Sequence, residues 1–350
     1  MRSGDAAARG GAAAIVRTMS AVGDERAGSA APAPVTPPHA PEGGWARRLL
    51  GRFHVTGSFW YRFHGWGMSI LPDWGVFLVV HLFTAFFFVF LVRIGRALAS
   101  NLEPVLGPCG FFARRQRVYR TMLTFAWCLS ERYERLLTAK RFSIAIDLDR
   151  WHRVARPDRG FIMVTAHLGN FEVGSMLPSF EESRRVVVVR EPEVDPEAQQ
   201  YIKETLERAS GGRWINYFQG DDPLGGVFLL ETLREGGIVG VQGDRPHAGG
   251  RIVNARLFGR PFDLPAGPAA LARSAGVPLV PIFVLREGRR SYRIDIAEPI
   301  EIARTRDRDA DVASAMRRVA AGIERAIRSA PHQWFCFREL WPPGTATVRR

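Results

Sequence analysis

The sequence predicts an α/β fold: a mostly parallel central sheet with helices on both faces, preceded by a transmembrane or membrane-embedded helix. Three observations carry this. Apolar, β-branched runs recur at 161–166 (FIMVTA), 185–190 (RVVVVR), 238–242 (IVGVQ) and 277–285 (VPLVPIFVL). Helical segments lie between several of them, and strands that alternate with helices pair in parallel with both faces of the sheet covered. Upstream stands one run of a different kind, WGVFLVVHLFTAFFFVFLV at 74–92, in which only His81 and Thr84 are polar.

Taken in order, residues 1–44 read as a disordered tail. Twenty-four of them are Ala, Gly or Pro, and they show no apolar periodicity. AAAIV within this tail is too short for the apolar region of a signal peptide. Residues 45–112 form an anchor region around the hydrophobic helix at about 74–92. At about 1.5 Å per residue that helix reaches about 29 Å, near the hydrocarbon thickness of a bilayer. Its apolar character runs all round, unlike an amphipathic surface helix. Trp74 at one end, and Arg93 and Arg96 at the other, suit interfacial anchors. A single membrane anchor is therefore expected, with a buried core helix as the alternative. Arg47, Arg48, Arg52 and Arg62 precede it; Arg93, Arg96, Arg114, Arg115, Arg117 and Arg120 follow it. The slight excess after it favours a cytoplasmic location for the globular part.

A globular domain is expected over 113–342, with a short tail at 343–350. It opens on a helix at 113–138 rich in arginine and aromatics, which suits either anionic lipid or an ordinary solvated face. RWINYF and YRIDIA are weaker strands. The segment from Asp195 places an N-cap, then Pro196 at the first helical position, then Gly211 as a stop; Asp222, Pro223 and Gly236 repeat the grammar.

The chain has 350 residues, 46% hydrophobic and 24% charged, enough for one large domain or two small ones with a sizeable core. Its net charge is +13, and only Lys140 and Lys203 among the cations are lysines. Such a balance suits anionic partners: a phospholipid surface, an acidic carrier protein or nucleic acid. No nucleic-acid-binding motif accompanies the charge, so lipid explains it better. Cys109, Cys128 and Cys336 are scattered, form no CxxC pair, and fit a reducing compartment.

The stretch TAHLGNFE, 165–172, follows the FIMV run and places His167 at the carboxyl end of a strand, where ligands of parallel sheets usually sit. Five residues along one continuous helix rotate about 500°, so His167 and Glu172 cannot share a helical face. They converge if Gly169 bends the chain and Asn170 caps a new helix holding Glu172 in its first turn. There the macrodipole favours the carboxylate. Glu172 then holds one imidazole nitrogen and leaves the other as a general base, while the free N–H groups of the helix start face an anion. A structural histidine is the competing reading.

Two further segments bear on this: GIVGVQGDRPHAGGRIVNARLFGRPFDLPAGPAALARSAGVPLVPIF at 237–283 and the closing APHQWFCFRELW. With the HxxxxE of TAHLGNFE, the GDR turn, the FGRPFDLPAGPAALA stretch and the PxQWFxF close, the chain resembles the late acyltransferases of lipid A biosynthesis, a branch of the lysophospholipid acyltransferase superfamily. The resemblance covers roughly 115–342. It implies an O-acyltransferase that needs no cofactor. An acyl group passes from a thioester, on acyl carrier protein or coenzyme A, to a hydroxyl of a membrane lipid or glycolipid. His167 would take the proton of that hydroxyl and Glu172 would orient His167. Arg245 and backbone N–H groups near Gly169 and Asn170 are candidate donors to the oxyanion. Asp244 would hold Arg245, or form a structural salt bridge with it; Arg190 matches a family arginine near the site. FGRPFDLPAG is expected to shape a pocket wall. EPEVDPEAQ, after Arg190, is more acidic than the family's usual segment, so the acceptor is left open.

Two other classes compete. A metal hydrolase would gather His167, Glu172, Asp244 and His247, but HExxH is absent and no metal is expected. A non-catalytic membrane scaffold would have no use for a polar dyad at a strand end.

Overall fold

In the computed structural model, the described residues are 65–67, 70–138, 140–171, 184–192, 196–209, 214–219, 224–246 and 249–341. The apolar segment is helix α1 (Asp73–Phe90), and among the described residues it is the one helix long and apolar enough to cross a membrane. The helix stops at Leu91, and α2 (Val92–Leu106) follows at once. The basic segment is α3 (Phe111–Leu137).

The α/β core then runs β1 (Ser143–Ile146), α4 (Leu148–Val154), β2 (Phe161–Thr165), β3 (Val186–Arg190), α5 (Pro196–Ala209), β4 (Trp214–Phe218), α6 (Gly225–Arg234) and β5 (Ile238–Gln242). It continues with β6 (Ile252–Leu257), β7 (Arg260–Pro265), α7 (Gly267–Ala275), β8 (Leu279–Gly288), β9 (Ser291–Ile296) and α8 (Arg308–Ser329). A 3-10 turn at Pro331–Gln333 closes the order.

Seven strands form one sheet in the order β1-β9-β8-β2-β5-β3-β4. Every pairing is parallel except the β8–β9 hairpin. The expected mostly parallel sheet is therefore present. Alternation along β2 feeds two cores. Ile162 and Val164 enter the cluster covered by α6, α7 and α8, while Phe161 and Met163 enter a second cluster with Trp151 of α4. Both faces are thus buried, as continuous apolar strands require.

Pro196 does open α5, and Gly236, with φ 84°, follows the end of α6. Gly211, Asp222 and Pro223 lie outside the described residues. FGRPFDLPAG supplies the loop and second strand of a hairpin: β6 and β7 pair antiparallel around Phe258 and Gly259, both at positive φ, as a two-residue loop requires. Glu324 of α8 accepts the Phe258 N–H at 2.7 Å, and Phe262 and Leu264 enter the core that α8 covers.

Candidate functional site

β2 and β5 are neighbouring parallel strands with Thr165 opposite Gln242. Two residues further along each strand, the same register brings His167 opposite Asp244. The ladder continues through the Gly243 N–H, which donates to the Thr165 carbonyl at 2.8 Å. A Cβ at Gly243 would sit 2.4 Å from Val164, so only glycine lets the two chains stay this close.

Asp244 is 3% exposed and uses both carboxylate oxygens on one residue. Oδ2 accepts the His167 backbone N–H at 3.1 Å, and Oδ1 lies 2.8 Å from His167 Nδ1. Burial by itself would push the Asp244 carboxyl up; the positive charge and hydrogen bonds of His167, with Arg245 beside it, outweigh burial and hold it below the ordinary carboxylate range. A carboxylate only accepts, so Nδ1 carries a proton; in the neutral imidazole Nε2 is then the nitrogen with the lone pair. The His167 side chain is 23% exposed, and Phe171 stands edge-on to its ring at 5.6 Å. Its Nδ1 is fixed by Asp244 while the ring stays partly open to solvent.

The turn after His167 is held by the C-terminal segment. Gly169 sits at φ 62°, and a Cβ there would meet the Val284 carbonyl at 2.0 Å. Its N–H donates to the Gln333 carbonyl at 2.9 Å, and the Phe335 N–H donates to the His167 carbonyl at 2.9 Å. Leu168 and Trp334 form an antiparallel bridge between these bonds. The Gln333 side chain accepts the Arg286 N–H and donates to the Arg286 carbonyl, at 2.8 and 2.7 Å. The HQWF motif thus backs the histidine turn and fastens it to β8.

Asn170 is buried, and its Nδ2 donates to the Cys128 carbonyl at 2.9 Å and the Tyr292 hydroxyl at 3.1 Å. Its backbone N–H donates to Val284 at 3.0 Å. The N–H groups of Gly169 and Asn170, read from the sequence as oxyanion donors, are therefore both committed to backbone carbonyls. The helix they were to open, and Glu172 within it, lie outside the described residues, as does His247.

Arg245 donates from Nη2 to the Phe335 carbonyl at 2.8 Å, while its Nε lies 4.0 Å from Asp244 Oδ2. Asp244 serves His167 more directly than it serves Arg245. Arg190 ends β3, two strands and so about 10 Å from β2, and donates from Nε to Asn216 of β4 at 2.9 Å. The structure does not bring it to His167.

Sequence reasoning missed the His167–Asp244 pair. Their separation of 77 positions hides it; the available signal was that each stands one or two residues beyond an apolar run. It also missed the role of Gln333. Among the described residues, no three His, Cys, Asp or Glu side chains gather as metal ligands.

A mostly parallel α/β sheet with a carboxylate-held histidine at its strand ends defines the structural class. Comparison narrows it. The family model for the bacterial lipid A biosynthesis acyltransferases matches residues 47–342, and the chain belongs to that family. Its activity is acyl transfer to a lipid-type acceptor. No curated protein matches the chain.

Proposed function

We propose that this protein transfers a fatty acyl group from an acyl thioester to a hydroxyl of a lipid or glycolipid acceptor at the bacterial inner membrane, with its catalytic domain on the cytoplasmic side. The observation that carries this reading is the His167–Asp244 pair, 2.8 Å between Nδ1 and Oδ1 with the backbone N–H on Oδ2.

His167 Nε2 takes the acceptor's hydroxyl proton as the new C–O bond forms, because a free alkoxide is inaccessible near neutral pH. Asp244 keeps Nδ1–H in place and stabilises the imidazolium. The thioester carbonyl becomes an oxyanion, and Arg245, beside Asp244 and partly exposed, is the donor we assign to it. Collapse breaks the C–S bond, and the imidazolium returns its proton to the departing thiolate. The donor is acyl carrier protein or acyl-coenzyme A, used as co-substrate without a further cofactor. Asp244 takes the orienting role that spacing alone suggests for Glu172, and Glu172 is proposed as a second carboxylate of the same site. Gly169 and Asn170 shape the turn, and Arg190 with Asn216 lines the carboxyl-end rim.

The test is acyl transfer on membranes containing the protein, with labelled acyl carrier protein and labelled acyl-coenzyme A supplied separately and lipids read by mass spectrometry. A new acylated lipid is expected, reduced on the order of a hundredfold or more with His167→Ala. Label released as free fatty acid, or an equal rate in a folded His167→Ala variant, overturns the assignment.

A further inference from the structure

We propose, resting on the lipid-acceptor reading above, that α1 lies flat in one leaflet, parallel to the membrane plane, and does not cross it. The outward face of α1 presents Trp74, Phe77, Leu82, Phe83, Phe86 and Phe90 to solvent, from 43 to 73% exposed. Phe111 and Phe112, at the start of α3, extend the same character at 67 and 84%. A continuous apolar surface of this size marks an interaction site. Only the seam of Gly75, Val76, Val80 and Thr84 is buried.

Both ends of α1 are tied to the same globular body. At the N-terminal end Asp73 pairs with Lys140 at 3.1 Å and Arg289 at 3.5 Å, and with Arg290. At the other end Phe87, Phe88 and Leu91 share a cluster with Phe337. There α2 is fastened through Asn101, whose Nδ2 donates to the Cys336 and Arg338 carbonyls at 3.0 and 2.7 Å and whose Oδ1 accepts the Leu340 N–H at 3.0 Å. A crossing helix has its ends on opposite sides of about 30 Å of hydrocarbon. Residues 336–340 and 289–290 cannot occupy both sides, because irregular backbone facing lipid leaves its polar groups unpaired.

The neighbour of α1 excludes crossing as well. Phe77 and His81 meet Trp127 at ring distances of 6.1 and 6.0 Å, and Phe88 meets Tyr119 at 5.4 Å, so α3 runs antiparallel beside α1. A crossing α1 would draw Arg114, Arg115, Arg117 and Arg120 of α3 into or through the hydrocarbon, where arginine is costly. Lying flat places the exposed Arg93, Arg96, Arg114 and Arg115 at the headgroup level beside the apolar face. That combination fits an anionic lipid surface, and it sets the acceptor lipid and the His167 site on one side of the membrane.

Spin labels measure the depth directly. The full chain, carrying Cys109→Ser, would receive single cysteines by Phe77→Cys, Leu82→Cys, Phe86→Cys or Phe90→Cys. Vesicles of phosphatidylethanolamine and phosphatidylglycerol serve as the surface. Leu82, Phe86 and Phe90, within an arc of about 80° on one helix face, are expected at one shallow depth, about 5–10 Å below the headgroups, with Phe77, beside α3, shallower. Leu82 and Phe86 near the bilayer centre, with Phe77 and Phe90 each about 10 Å nearer to opposite surfaces, overturn the proposal in favour of a span. Labels shielded from lipid and broadened by a second copy overturn it in favour of a dimer. Exchanging phosphatidylglycerol for phosphatidylcholine is expected to lower the bound fraction several-fold; an unchanged fraction removes the anionic surface from the proposal. Leu82→Glu with Phe86→Glu is expected to lower vesicle binding at least tenfold with an unchanged melting temperature in detergent, and wild-type binding by that folded variant refutes the face. Flat insertion without acyl transfer would sink the proposed reaction alone, and transfer in detergent without flat insertion would sink this inference alone.

Discussion

In the proposed reaction His167 draws its chemistry from Asp244, and that role is separable by mutation from the one proposed for Glu172. Asp244→Asn leaves a side chain of the same shape that no longer stabilises an imidazolium and can trap the wrong tautomer. We expect kcat to fall at least about a hundredfold with little change in KM. Glu172→Gln in the same assay ranks the second carboxylate; a larger loss there than at Asp244 would return the orienting role to Glu172. His332 offers a prediction on stability. Burial, then the charges of Arg120 and Arg117 on α3, disfavour its protonated form and hold its pKa below the ordinary 6.5. Thr121 Oγ1 lies 3.2 Å from Nδ1, and a hydrogen bond with the Arg117 backbone works in the opposite direction without overcoming the shift. The unfolded chain binds this proton more readily, so the contribution of His332 is complete above about pH 6.5 and fades as pH falls through the depressed folded value. Urea midpoints measured between pH 7 and 5 should decline more steeply for the wild type than for His332→Gln; equal slopes would refute it.

At the scale of elements, the His167 turn is fixed by a segment some 165 residues later. The Leu168–Trp334 bridge, with its flanking hydrogen bonds, makes the QWF motif a short partner strand to the turn. Gly169 is the position with no alternative, because its positive φ and the Val284 carbonyl both exclude a side chain. Gly169→Ala is expected to cost about 3 kcal/mol or more, which denaturant unfolding would detect. A variant within about 0.5 kcal/mol of the wild type would contradict the geometry. The helix α1 shows the same dependence on neighbours. Its apolar run is legible in the sequence, yet its break at Leu91 and its buried seam follow from α3 and Phe337, which no local pattern announces.

At the scale of the molecule, a buried ionic network joins α1 and α3 to the His167 turn. Glu131 of α3, fully buried, pairs with Arg286 through two bonds of 3.0 Å and accepts from the Arg290 N–H and the Tyr292 hydroxyl. Tyr292 in turn accepts from Asn170, three residues from His167. Glu134, also buried, meets Arg289, Arg290 and Lys140, which reach Asp73 at the start of α1. Burial by itself would push the Glu134 carboxyl up, but these cations outweigh it and lower its pKa. Glu131→Gln would leave Arg286 largely buried opposite a neutral amide. We expect a loss of about 3 kcal/mol in urea unfolding, the scale for a broken buried pair. A loss under about 1 kcal/mol would show that water relieves the site.

β1, the β6–β7 hairpin and the helices α2, α4, α7 and α8 were not read from the sequence; the other six strands, the helices α1, α3, α5 and α6, and the place of His167 at a strand end were legible in it. Each rests on a signal confined to ten or twenty residues: alternation, apolar runs, a proline at a helix start, a glycine after a strand. Four ordered motifs were enough to suggest the family. Tertiary structure alone decided what stands beside what. The parallel register of β2 and β5 chose Asp244 as the partner of His167, and the pairing of Gly169 and Asn170 with Gln333 and Val284 removed their N–H groups from the site. The same contacts turned Asn170 inward and tied Arg190 to Asn216, away from the histidine. Strand order and register follow from burial summed over the whole sheet, and no local stretch of sequence contains that sum.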